Sequence, residues 1–137
     1  MRANALGLSS CTHFMGTNDA IASVMASFDV AVQCSLSESF SNVLIEYMAS
    51  AKPIVATRVG DAHRIIGHGT EGLLVEPGSP IAVAGAVASL LREPEAALEM
   101  GGRARTKAEH NWSIPQFSRN HRLLYTKLLG AARSCAR

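Results

Sequence analysis

Apolar runs alternate with helix-like patterns along this 137-residue chain. Thr12 to Met15 predicts a short strand, closed by Gly16. Ala20 to Phe28 has a helical period, with Ile21, Val24, Met25 and Phe28 on one side. Asp29-Val30-Ala31-Val32-Gln33-Cys34 reads as a β-rich strand running into a polar loop, Ser35 to Ser39. Asn42 to Ala51 is helical. Pro53-Ile54-Val55-Ala56-Thr57 is the next strand, and its unbroken apolar run suits a parallel strand covered on both faces. Ala62 to Ile66 predicts a short helix and Gly72 to Val75 a fourth strand. Pro77 to Pro80 marks a turn and a helix start. Ile81 to Arg92 and Glu95 to His110 follow as helices, the second expected to be weakened at Gly101-Gly102.

The start of the last helix is signalled most clearly. Ser113 and Gln116 have capping-box spacing, and Trp112 and Phe117 stand where a hydrophobic staple would place them. Its apolar stripe runs through Ile114, Phe117, Leu124 and Leu128, with His121 in the same register as a helix-face residue. Strands alternating with helices predict an α/β chain with a mostly parallel, Rossmann-like sheet and flanking helices. Such sheets bind ligands beyond the carboxyl ends of their strands. The loops of interest are therefore Gly16 to Asn18, Ser35 to Ser41, Arg58 to Ala62 and Glu76 to Ser79.

Composition removes several classes. Apolar residues make up 47% and charged residues 18%, which excludes a disordered chain. The longest strongly apolar run, Ile81 to Leu91, is too short to span a bilayer. Cys11, Cys34 and Cys135 form neither a disulfide framework nor a C-x-x-C pair. Met1-Arg2-Ala3-Asn4 leads into no signal-peptide core, so a cytoplasmic location is expected. The formal net charge is only +2, against an obvious nucleic-acid binder. It is unevenly spread. Arg103, Arg105, Lys107, Arg119, Arg122, Lys127, Arg133 and Arg137 face Glu109 alone in the last part of the chain. That tail suits a solvated helix face, or peripheral contact with the anionic inner membrane surface. No aromatic residues interleave with it as nucleic-acid stacking would need.

The chemistry concentrates between Ser35 and Pro53. The helix there is apolar nearly all round, through Val43, Leu44, Ile45, Tyr47, Met48 and Ala49, so it is expected to be mostly buried. Glu46 is its one ionised residue, and Asn42 lies one turn before it on the same face. A carboxylate accepts two hydroxyl donors, as the vicinal diol of a ribose offers. Glu38 lies in the preceding loop among Ser37, Ser39 and Ser41. The free N–H groups of the helix's first turn make an anion site fit for a diphosphate. Together these features describe a site for a nucleotide-linked polyol. A plainer reading stands beside it, with Ser41 as a simple N-cap and Glu46 as a solvated position.

The combined pattern resembles the retaining glycosyltransferases of family 4, which pair two Rossmann-like domains across a cleft. The resemblance rests on Glu38-Ser39-Phe40-Ser41-Asn42-Val43-Leu44-Ile45-Glu46-Tyr47-Met48-Ala49 followed by Lys52-Pro53-Ile54-Val55-Ala56-Thr57. Phe14-Met15-Gly16, Asp29 to Val32, Val59-Gly60-Asp61, Gly72 to Gly78, and Trp112-Ser113-Ile114 with Tyr125 agree as well. It implies transfer of a sugar from a nucleotide sugar to a carbohydrate or lipid-linked acceptor, with retained configuration and no metal or other cofactor. Glu38 would be the catalytic residue at the donor sugar. Ser39, Phe40, Ser41, Asn42 and Val43 would hold sugar and diphosphate through their main chain, and Glu46 the ribose.

Departures from the family pattern set further expectations. Ala51 replaces a glycine and would be strained in a left-handed cap. Arg64 stands where an acidic residue is common. The family's two central strands, with an arginine and a lysine that neutralise the diphosphate, have no counterpart here, and Arg58 and Arg64 do not occupy those positions. Residues 1–137 are thus expected to be an incomplete C-terminal nucleotide-sugar-binding domain with little turnover of its own. A non-catalytic binding module, or a remnant docking on a full-length transferase, stands as the alternative. The segment Thr12 to Met15 would have to pair with the Asp29 strand, pair with another chain, or fray, so a homodimer or a poorly stable chain is expected.

Overall fold

The computed structural model describes Arg2–Cys135; side chains beyond residue 130, including those of Arg133, Cys135 and Arg137, lie outside the described set. Three parallel strands, β1 (Ala31–Gln33), β2 (Ile54–Thr57) and β3 (Leu73–Val75), form one sheet in the order β1-β2-β3. Val32 pairs with Val55, and Ala56 with Leu74. The helices are α1 (Arg2–Ala5), α2 (Ile21–Ala26), α3 (Asn42–Ala49), α4 (Ala62–Ile65), α5 (Pro80–Arg92), α6 (Pro94–Trp112) and α7 (Ile114–Cys135). The α/β class and the parallel pairing are as the alternating pattern predicts. Among the described residues, no helix is long and apolar enough to cross a membrane.

All four residues of β2 are buried, as its unbroken apolar run requires. Ile54 and Ala56 face one core with Leu44, Met48, Ile65, Ile66, Ala104 and Ala108, drawn from α3, α4 with the residue that follows it, and α6. Val55 faces the other, with Leu90, Ala97 and Met100 from α5 and α6. The alternation sends successive side chains to opposite faces and makes the sheet the middle layer.

Two expectations, the strand over 12–15 and the mostly buried helix over 42–49, are corrected. Residues 12–15 form no strand; Phe14 and Met15 are exposed, since a strand needs a neighbouring backbone and none lies beside them. The helix over 95–110 runs without a break through the glycine pair, from Pro94 to Trp112, and Gly101 is a close-approach point. A Cβ there would lie 2.2 Å from the Ala51 carbonyl oxygen, so a side chain would push α6 off the turn that follows α3. The helix over 42–49 is less buried than its composition suggests: only Leu44 and Met48 are fully enclosed, and Val43 is exposed. The α7 stripe of Ile114, Phe117, Leu124 and Leu128 covers no core; each residue is more than half exposed.

Candidate functional site

The carboxyl ends of β1 and β2 carry the loops that build the site. Leaving β1, the chain passes through Ser35 to Phe40 and enters α3 at Ser41, whose extended backbone makes it the N-cap. The Ser41 hydroxyl accepts the Leu44 N–H at 3.4 Å and donates to Gln33 Oε1 at 2.9 Å. Asn42 and Val43, in the first turn, have no intrahelical acceptor for their N–H groups. Two long-range contacts hold the loop. Buried Thr57 donates to the Ser35 carbonyl at 2.6 Å, and the Asp61 N–H donates to the Ser39 carbonyl at 3.0 Å.

Gly60 explains the Val59-Gly60-Asp61 motif. Its φ is +51°, and a Cβ there would sit 2.2 Å from the Glu38 carbonyl oxygen. Only glycine lets the loop after β2 lie flat on the backbone of Glu38 and Ser39.

The Glu38 carboxylate is exposed at the strand end. Its Oε1 accepts from Gln33 Nε2 at 3.2 Å and from Ser35 Oγ at 3.0 Å. Among the described residues, no protein group bonds Oε2.

Glu46 and Asn42 share the exposed face of α3, as their spacing predicts. They line a groove of about 670 Å³ between α3 and the junction of α6 with α7. Phe40, Trp112, Phe117 and His121 form its aromatic wall, and Asn111 and Asn120 add amides. Phe117 and His121 stack with centroids 3.9 Å apart. The structure thus brings Phe40, Asn42 and Glu46 together in one groove. Glu38, Ser39, Ser41 and Val43 lie outside its lining, around the N-terminus of α3.

Arg58 lies 3.5 Å from Glu76, and Arg64 lies 3.3 Å from Asp61. Part of the basic tail is engaged within the fold: Lys107 pairs with Glu71 at 3.0 Å, Arg105 with Glu109 at 2.8 Å, and Arg103 donates to the Thr70 carbonyl.

Sequence reasoning missed Gln33, Ser35 and Thr57, which hold the Glu38 loop. Gln33 carried a signal, being a long polar side chain at the end of an apolar strand. It also missed the groove wall, which forms only once α3 packs on α6 and α7 continues from it.

The family of glycosyl transferases group 1 matches residues 1–93. The chain is 34% identical over 116 residues to N-acetyl-alpha-D-glucosaminyl L-malate synthase of Bacillus anthracis, covering 85% of this chain and 30% of that protein. It superposes on sucrose-phosphate synthase from Thermosynechococcus elongatus with a TM-score of 0.91 at 27% identity, over 95% of this chain and 33% of that one. With Anabaena HepE in complex with UDP the TM-score is 0.89 at 24% identity, over 92% and 35% of the two chains. The chain therefore spans about a third of the length of these proteins.

Proposed function

The chain belongs to the group 1 glycosyltransferases, and from that membership we propose that it holds the donor nucleotide sugar for a retaining, family 4 type transfer to a carbohydrate or lipid-linked acceptor. The observation that carries the reading is the division of two carboxylates by the α3 N-terminus. Glu38 presents a free oxygen at the strand end, and Glu46 lies beside Asn42 in the groove.

In this reading the diphosphate lies at the first turn of α3, where the N–H groups of Asn42 and Val43 and the helix dipole favour negative charge. Ser39 and Phe40 flank it. Ser41 contributes main chain only, since its hydroxyl is occupied by Leu44 and Gln33. Glu46 accepts the ribose hydroxyls. Glu38 accepts a hydroxyl of the sugar near the carbon that changes partners. The donor is a substrate; the reading uses no metal and no other cofactor. The bond from the anomeric carbon to the diphosphate oxygen breaks, a bond to the acceptor oxygen forms on the same face, and the acceptor's hydroxyl proton passes to the departing diphosphate. Charge developing on the leaving diphosphate requires cations beyond the α3 terminus.

The test is binding. This chain should bind one of UDP, GDP or ADP in titration calorimetry. Glu46→Ala should weaken that nucleotide by about 1.5–3 kcal/mol, the loss of hydrogen bonds to a charged group. Glu38→Ala should instead weaken only the sugar ester of the same nucleotide. Unchanged nucleotide affinity in Glu46→Ala would overturn the ribose role.

A further inference from the structure

Glu38 does not hold itself. Its carboxylate is exposed, and an exposed glutamate samples several rotamers unless something fixes it. Two donors converge on one of its oxygens: Gln33 Nε2 at 3.2 Å and Ser35 Oγ at 3.0 Å. Both are anchored from behind. Ser35 is held through its carbonyl by buried Thr57, on the neighbouring strand. Gln33, at the end of β1, accepts the Ser41 hydroxyl, and Ser41 caps α3 by accepting the Leu44 N–H.

The direction of the network is set by Glu38, whose carboxylate oxygens only accept. The Gln33 amide therefore turns its NH₂ toward Glu38 and its Oε1 toward Ser41. The Ser41 hydroxyl donates to that amide oxygen while its own oxygen accepts the Leu44 N–H. The opposite orientation would set an amide oxygen against a carboxylate oxygen. One side chain thus couples the cap of the phosphate-facing helix to the carboxylate at the sugar, and it leaves Oε2 as the open acceptor.

We propose that Gln33 is a positioning residue for Glu38, fixing which carboxylate oxygen meets the donor sugar. The inference rests on the donor-site reading above. Gln33 does not touch the donor and acts only through Glu38.

Two substitutions separate positioning from a merely structural role. Gln33→Glu keeps the length and the acceptor for Ser41 but replaces the donor to Glu38 with a second negative oxygen. Gln33→Met keeps the bulk and removes both bonds. Calorimetry would use UDP, GDP and ADP, and then the glucose ester of whichever binds. Gln33→Glu should bind the nucleotide as the unaltered chain does and lose about tenfold in affinity for the ester, the scale of one hydrogen bond to a charged group. In a Glu38→Ala background the same substitution should add no further loss. The Gln33 side-chain NH₂ resonances should also move in Glu38→Ala, since their acceptor is gone.

A structural role predicts another pattern, with Gln33→Glu unchanged for the ester and only Gln33→Met impaired, for ester and nucleotide alike. That result, or unmoved NH₂ resonances, would overturn the positioning role while leaving the donor site standing. Failure of the unaltered chain to bind any of the three nucleotides, or equal affinity for ester and nucleotide, would overturn the donor-site reading itself and this inference with it.

Discussion

Ala51 occupies a backbone conformation that suits glycine. Its φ is +54°, and among the described residues no other non-glycine has a positive φ. The turn must bend there, because the Lys52 N–H bonds back to the Tyr47 carbonyl and Pro53 leads directly into β2. A Cβ in the left-handed region costs roughly 1–2 kcal/mol, partly offset because glycine gains more freedom in the unfolded chain. Ala51→Gly should therefore stabilise the chain by about 0.5–1 kcal/mol. Urea unfolding would show this as a higher midpoint at unchanged slope, and a lower midpoint would refute it. The strain was legible in the sequence, where alanine stands at a glycine position. Gly101 was not. Its reason is the Ala51 carbonyl lying against it, fifty residues away in the chain.

Helix α3 illustrates how one element serves both core and site. Leu44 and Met48 anchor it against β1, β2 and α6, while Asn42, Val43 and Glu46 stay exposed. Tyr47 lies between these two sides and packs edge-on against Phe28, with centroids 6.2 Å apart. Burial, followed by the negative charges of Glu46 and Cys34, raises its hydroxyl above the ordinary value of 10.0. The folded chain therefore keeps this proton at a pH where the unfolded chain has lost it. Stability from this group is present below about pH 10 and falls as pH rises beyond that. Tyr47→Phe should flatten the loss in stability between pH 9 and 11 relative to the unaltered chain, measured as urea midpoints. Parallel pH profiles for the two proteins would refute the assignment.

At the scale of the molecule, two kinds of surface lack a partner among the described residues. The edge strands β1 and β3 each bond a neighbour on one side only, and α7 exposes Ile114, Phe117, Leu124, Leu128 and Leu129. An open strand edge and a contiguous apolar face both favour association. The isolated chain should therefore sediment as a dimer or larger species at micromolar concentration. Replacing Leu124 and Leu128 by serine should shift it toward monomer. A monomer at every concentration would refute the expectation. The ion pair of Lys107 with Glu71 acts at the same scale, joining α6 to the loop before β3. Glu71 also accepts the Gly67 N–H at 2.7 Å, so it orders that loop from both sides.

What the sequence determined by itself was local or periodic. An unbroken apolar run made β2 an inner strand, because both of its faces had to be covered. Ser41 and Ser79 set helix starts, because side-chain caps act within one turn. The spacing of Asn42 and Glu46 put both on one helical face. The tertiary structure decided whatever depends on a distant partner. Thr12 to Met15 has strand-forming residues yet makes no strand, because a ladder needs a second backbone. The α7 stripe has the right period yet covers no core, because period fixes a face and not what meets it. The contact of Gln33 with Glu38 and Ser41 arises only after the Glu38 loop folds under Gly60 and Thr57. That loop is held by atoms more than twenty residues away, and no local pattern encodes their approach.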